Sequence, residues 1–489
     1  MTSATPGLRR LANASVIYLV GNLSSRGLAV VLLPIYTRHL SPTDYGIVAV
    51  TLTIVSVLSV VLPLGLHGAV ARFYFATPDT AERRTTNGTI WMASIVSAGA
   101  LALLLDQFGS PLFGVLFPSV SFDPYVRLGI WAAFLSVIGL VPLSILQVQE
   151  RPQAYVLLSL FSSVATAVAI VVLVVWRNEG AYGYLRGVVL GGLVAAGLIV
   201  VVTARTVSRK VRLQVLLAAL AYGLPLVPHA LAGWALELSD RAILARFVRL
   251  EEVGVYALGY QLGAAVGIVA SAFNSAWVPI FFGGLSRDDP AVERHLSRLA
   301  TYFIAAIFFG YLAWALLCQQ VIGWALAPAY GEAYRITRLV VVAYALNALY
   351  ILPVNVLFWK RTTWQIPLIT GAAGAVNVAL NLILVPRFGV IAAAWNTIAG
   401  YLVLLVMAWF LAQRERRFPF EYGRLARIAA VAAALFAAGL AAAQLPTTAA
   451  TVLQLGIVLL FPLVLMAVRV LDPGQALAAV RQLPLWRRL

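Results

Sequence analysis

One arginine sits inside a long apolar run near the start of the chain: Arg26, in Asn22-Leu-Ser-Ser-Arg26-Gly. Tyr18, Asn22 and Arg26 recur every four residues, so a helix sets all three on one face. At a bilayer centre an arginine costs about 2.5–3.5 kcal/mol, and it must therefore face a helix bundle or water. Two readings are open: an internal ion pair, or the lining of a solvated, cationic cavity. Few acidic residues fall at mid-membrane to supply the first. In the second, the planar guanidinium suits phosphate oxygens through bidentate, charge-assisted hydrogen bonds.

Other polar residues interrupt apolar runs further along. Leu66-His67-Gly68 is followed by Arg72-Phe73-Tyr74. His67 could titrate near neutral pH, although a lone histidine also serves as a hydrogen-bonded packing residue. Arg72 is either an interfacial anchor or a cavity residue. Pro225 and Pro228 precede His229, and then come Trp234, Glu237, Asp240 and Arg241. The two prolines free backbone carbonyls and predict a kinked helix. Glu237 and Asp240, three apart beside Arg241, form either an interfacial ion-pair cluster or a site that binds a coupling proton or cation. Gln261, Asn274, Asn347, Asn355, Asn377, Asn381 and Asn396 complete the set, with Asn377 and Asn381 on one helical face. Amides in such helices usually hydrogen-bond between helices; sugar binding is the alternative.

The elements that must position these residues follow from composition. The chain has 489 residues, 62% apolar and 11% charged, with mean hydropathy +0.92. Soluble domains average about 45–50% apolar and 25% charged. A crossing needs about 20 apolar residues, and fourteen runs qualify: 14–37, 46–71, 89–105, 128–147, 154–175, 183–203, 215–236, 253–282, 299–318, 338–358, 364–385, 390–411, 428–444 and 450–469. The runs are continuous rather than alternating, which excludes a transmembrane barrel. The first run is long and polar-interrupted, so it reads as a retained span rather than a signal peptide. Cys318 is the one cysteine and the four histidines lack metal-site spacing, so no disulfide, metal or other cofactor is expected. There is no P-loop and no Asp-x-Asp motif, and the external links are short. The expectation is not an enzyme.

The charge, +17, sorts by side. Of the 35 Lys and Arg, 24 fall on the N-terminal side, 10 on the other and one, Arg26, inside a span, while acidic residues divide nine and nine. The positive-inside bias puts both termini in the cytoplasm. Most of the charge therefore orients the chain toward the lipid bilayer, and no nucleic-acid partner is expected.

The first six spans are echoed by the next six. Asp44-Tyr45-Gly46 answers to Val253-Gly254-Val255-Tyr256, the links beginning Phe113-Gly114 and Ile322-Gly323 end in Arg127-Leu128 and Arg338-Leu339, and Gln149-Glu150-Arg151 answers to Lys360-Arg361. Gly183 answers to Gly389, with offsets of 206 to 211 throughout. Such repeats are typical of secondary transporters, whose substrate lies between the two bundles. The expected architecture is an all-α polytopic membrane protein of about 14 helices: an N-lobe at 1–212, a C-lobe at 213–413, and two further helices with a cytoplasmic tail at 414–489.

Several of these motifs carry a resemblance. Gly21-Asn22, Leu33-Pro34, Thr37-Arg38, Leu40-Ser41, Asp44-Tyr45-Gly46, Gly65-Leu66, Arg72-Phe73-Tyr74, Gly223-Leu-Pro225, Ser239-Asp240-Arg241 and Val253-Gly254-Val255-Tyr256 together resemble the polysaccharide and oligosaccharide-lipid flippases of the MOP exporter superfamily, the O-antigen-flippase-like proteins. The resemblance implies a carrier in the cytoplasmic membrane of a bacterium. It would move an undecaprenyl-pyrophosphate-linked glycan outward by alternating access, beside a polysaccharide polymerase or export machinery. It also implies a cationic central cavity, carried here by Arg26 and Arg72 and by Arg241, with Asn22 and Tyr18 beside Arg26. Coupling candidates are Asp240, Glu237, His67 and His229. The rivals are a peptidoglycan-precursor flippase and a multidrug or cation antiporter of the same superfamily; the antiporter would call for acidic cavity residues.

Overall fold

The computed structural model describes residues 30–472 except 78, 205, 287 and 288, together with 17, 21, 27 and 28. Tyr18, Asn22 and Arg26 lie outside the described residues. The described chain is helical, with no strand among its elements. Twelve helices are long and apolar enough to cross a membrane. One of them, Gln365–Glu415, breaks at Gly389, where φ is 62° and ψ −146°. That region is open essentially to glycine alone. Asn396 Nδ2 donates to Asn381 Oδ1 at 3.1 Å, although a continuous helix would separate residues fifteen apart by about 22 Å. The segment is therefore a hairpin of two crossings, 365–388 and 390–415, as the spans at 364–385 and 390–411 predict. The described residues thus supply thirteen crossings, and residues 30–39 are the helical end of the span expected at 14–37.

Three crossings are broken inside. Pro42–Val61 and Leu66–Ala76 are separate helices of one crossing. The expected kink in span 7 falls where Leu213–Gly223 ends and Leu226–Phe247 begins, with Pro225 as the cap between them. The two breaks touch: a β-carbon on Gly65 would stand 2.2 Å from the Gly223 carbonyl oxygen. The third break separates Leu250–Gly263 from Val266–Leu285.

The chain packs as two compact units. The first takes the chain up to Leu258, with Leu326–Tyr330 and Thr370–Thr397; the second takes Gly259–Ala325, Gly331–Ile369 and the chain from Ile398. Within the first unit, Leu40-Ser41 and Asp44 form a helix start. Ser41 Oγ accepts from Asp44 N at 3.1 Å, and Ser41 N donates to Asp44 Oδ2 at 3.1 Å, a capping box with Pro42 in the first turn. Asp44 Oδ1 then accepts from Ala181 N at 3.1 Å, fastening this start to that of Gly180–Ala204. Tyr330 closes the same corner, donating to the Leu40 carbonyl at 2.9 Å and meeting the Tyr45 ring edge-on at 5.9 Å. Burial and Asp44 both raise its hydroxyl pKa, so it stays a donor.

In the second unit the link between Gln365–Glu415 and Tyr422–Ala442 is tied down by ions. Arg416 pairs with Glu293. Glu421 accepts from Thr301 Oγ1 at 2.9 Å and from Arg424 at 2.9 Å. Phe418 and Phe420 are buried between these contacts, at 3% and 7% exposure.

Candidate functional site

A buried polar network of the first unit forms around Asp240. The helix Leu226–Phe247 carries it in Ser239-Asp240-Arg241, and all three side chains are buried at 4%, 2% and 8% exposure. Arg241 Nη1 stands 3.3 Å from Asp240 Oδ1 and donates to the Glu237 carbonyl at 3.2 Å. Tyr256 Oη, on Leu250–Gly263, donates to Asp240 Oδ2, and Tyr256 itself is fully buried. A buried carboxylate is tolerable only when paired and hydrogen-bonded, and these two partners supply both conditions.

One residue back, Ser239 joins this pair to a ladder of amides. Its Oγ lies 3.4 Å from Asn377 Oδ1, which accepts from Asn381 Nδ2 at 3.0 Å. Asn381 in turn accepts from Asn396. The ladder crosses the hairpin at Gly389 and ends beside Thr397, whose side chain hydrogen-bonds Tyr256. Asn377 and Asn381 are fully buried and Asn396 nearly so. Asn377 Nδ2 is buried with no hydrogen-bond partner among the described residues. The network thus links four helical segments, holds one formal ion pair, and keeps one donor unspent. Such a network is strongly rigid when satisfied and costly when not.

The other predicted residues lie apart from it. Arg72 is exposed on Leu66–Ala76, its guanidinium 5.2 Å from the centre of the Tyr222 ring, a cation–π contact. His67 is half-buried on the same helix, and its Nδ1 has no partner among the described residues. His229 and Glu237 are exposed, and the Glu237 carbonyl accepts from Arg241. Of the residues singled out from sequence, Asp240, Arg241, Asn377, Asn381 and Asn396 come together. Tyr256 and Ser239 complete the site, and they stood in the family-like motifs without an assigned role. Trp234 Nε1 donates to Ser56 Oγ at 2.9 Å, tying the site's helix to Pro42–Val61. No cluster of three or more His, Cys, Asp or Glu side chains able to hold a metal occurs among the described residues.

Comparison with known proteins agrees with this architecture. A family model described as polysaccharide biosynthesis protein matches residues 11–284. The chain is 26% identical over 352 residues to Lsg locus putative protein 1 of Haemophilus influenzae, spanning 71% of this chain and 84% of that one. It is 26% identical over 295 residues to the succinoglycan biosynthesis transport protein ExoT of Rhizobium meliloti, covering 59% of this chain and 57% of the relative. Among solved structures, the lipid II flippase MurJ in an inward closed conformation superposes with a TM-score of 0.70 at 12% identity, over 93% of this chain and 98% of that one. An inward-facing multidrug resistance MATE family transporter of the MOP superfamily gives 0.63 at 14% identity, over 85% and 98%. At these identities the solved structures speak to fold alone.

Proposed function

Because the chain belongs to the polysaccharide biosynthesis protein family, we propose that it is a carrier of the MOP exporter type that moves an undecaprenyl-pyrophosphate-linked oligosaccharide, a cell-surface polysaccharide precursor, across the cytoplasmic membrane. The carrying observation is the family match over residues 11–284, which spans the first eight expected crossings and the Asp240–Arg241 pair. The transport role printed for ExoT supports the same reading. The MurJ and MATE likenesses are likenesses of fold, and they leave the peptidoglycan-precursor and antiporter readings behind the family match.

In this reading the N-lobe, 1–212, rocks against the C-lobe, 213–413. Arg26, with Asn22 and Tyr18, holds the pyrophosphate, Arg72 lends further positive charge, the sugars fill the cavity, and the isoprenoid tail stays in lipid. With the cytoplasm negative, each negative charge moved outward gains about 2.3 kcal/mol per 100 mV, so no nucleotide is required. Return of the empty, cationic carrier is favoured by the same field, and a coupling ion at Asp240 adds the drive of its own gradient: neutralising Asp240 frees Arg241 and Tyr256 to re-pair. Glu237, His67 and His229 are secondary coupling candidates. We assign no catalytic step to the chain, and a polymerase or export complex receives the product.

The test is reconstitution in proteoliposomes with a defined undecaprenyl-pyrophosphate oligosaccharide, beside lipid II and a cationic drug. Faster outward movement of the oligosaccharide than of either competitor is expected. Preference for lipid II or for the drug would overturn the assignment. Arg26→Ala at matched expression should abolish export, and unchanged export would remove Arg26 from the pyrophosphate role.

A further inference from the structure

Within the first unit an apolar groove of about 750 Å³ runs between Pro42–Val61, Thr80–Phe108, Ser110–Leu116 and Leu226–Phe247. Its walls are aliphatic and aromatic, among them Ile54, Leu58, Leu105 and Phe113. Trp234 reaches it too, with its indole N–H already satisfied by Ser56. The one charged group lining it is Arg246, in the last turn of Leu226–Phe247. Arg246 is exposed, has no carboxylate partner among the described residues, and makes one long hydrogen bond, 3.4 Å to the Val115 carbonyl. Val115 belongs to Ser110–Leu116, a two-turn helix that keeps Leu112, Val115 and Leu116 exposed at 52%, 65% and 47%. Arg246 stands in the last turn of a segment, Leu213–Phe247, long and apolar enough to cross a membrane, and the end of such a crossing falls at headgroup level.

From Arg246 the groove extends down to Leu231 and Leu62. Along the Leu226–Phe247 helix the lining runs about 24 Å at 1.5 Å per residue, whereas one leaflet's hydrocarbon is about 15 Å deep. A guanidinium at headgroup level takes phosphate oxygens in a fork, and a cleft longer than a leaflet takes a chain longer than an ordinary acyl tail. We propose that this groove binds the polyprenyl chain of a pyrophosphate-headed carrier lipid, with the pyrophosphate on Arg246, as a second lipid site besides the one assigned to Arg26. On the proposed orientation Arg246 faces the exterior, so the groove receives the lipid after translocation. This inference rests on the transporter reading given above.

The test measures binding of undecaprenyl pyrophosphate to the full-length protein in nanodiscs, with phosphatidylglycerol as the competing lipid. Variants are Arg246→Gln, Arg246→Lys and the groove-filling Leu105→Trp, each verified as monodisperse with wild-type melting. Arg246→Gln should weaken binding about ten- to hundredfold, as loss of a charge-assisted contact does. Arg246→Lys should retain part of the affinity, and Leu105→Trp should lose it with Arg246 intact. Wild-type affinity in both Arg246→Gln and Leu105→Trp overturns the groove while leaving the transporter reading intact. Equal binding of phosphatidylglycerol with the same Arg246 dependence also overturns it, because the groove is then an annular phospholipid site. Absence of both binding and flipping in the wild type sinks the transporter reading and the groove together.

Discussion

Gly46 and Gly254 meet backbone to backbone. A β-carbon on Gly46 would stand 1.9 Å from the Leu250 carbonyl oxygen, and one on Gly254 would stand 2.0 Å from that of Pro42 and 2.9 Å from Gly46 N. The two glycines hold matching places in the internal repeat, in Asp44-Tyr45-Gly46 and Val253-Gly254-Val255. Each helix start therefore rests on its own counterpart, residue i on j and j on i, as at a two-fold interface. The glycines recur because backbone occupies the space of any side chain.

Gly46→Ala and Gly254→Ala should each destabilise the protein by at least the 1–3 kcal/mol or so typical of overpacking, since the obstacle is a carbonyl rather than a side-chain tip. Gly197, with nothing within 4 Å of its would-be β-carbon, is the control: Gly197→Ala should be neutral or slightly stabilising. Melting of the purified protein in detergent reads all three. Equal melting of Gly46→Ala and Gly197→Ala would show that the contact does not constrain the fold.

Asp240→Asn removes one half of a buried pair and leaves Arg241 without that carboxylate. The cost should be about 3–5 kcal/mol, and Tyr256→Phe should cost about 1.5–3 kcal/mol through the lost bond to a charged group. Replacing the pair together, Asp240→Leu with Arg241→Leu, should restore much of the stability but not transport. A double variant that regains both would reduce the pair to packing.

Asn381 is the middle rung of the amide ladder, accepting from Asn396 and donating to Asn377. Asn381→Ala takes the acceptor from Asn396 and leaves Asn377 Oδ1 with the Ser239 hydroxyl, and it should cost about 1–3 kcal/mol, more than Asn355→Ala, which parts one interhelical bond, to Asn274 at 2.9 Å. Thermal denaturation in nanodiscs compares the two. The reverse order would show that the ladder is no more than ordinary interhelical bonding.

The orientation drawn from the arginine bias has its own test. In a Cys318→Ala background, which removes the buried native thiol, Gln107→Cys and Arg417→Cys place exposed thiols on opposite sides. A membrane-impermeant maleimide added to intact cells should label Gln107→Cys and spare Arg417→Cys. The opposite pattern would invert the chain.

Much of the architecture was legible in the residues themselves. The apolar runs gave the crossings, because a bilayer forces the backbone to satisfy its hydrogen bonds within each helix. Pro225 located a break. The hairpin at Gly389 was readable as two spans, since Pro386, Arg387 and Gly389 interrupt the apolar run there. The break between Val61 and Leu66 was not, because Leu62, Pro63 and Leu64 keep the run apolar, and hydropathy is blind to backbone direction. Ser41 and Asp44 stood out as a family-like motif, and the structure supplies their cause: a capping box that also fastens Ala181.

Sequence by itself determined that this chain lives in a membrane and where its apolar helices run, because those follow from composition and period along one dimension. It also singled out Asp240, Arg241, Asn377, Asn381 and Asn396 as polar residues in apolar surroundings, each a cost that a partner must offset. Which partners they find was decided only in three dimensions. Asp240 meets Tyr256 from the following helix, and Ser239 meets an amide 138 residues away. Sequence spacing fixes which residues share a helical face; only packing fixes what that face is turned toward.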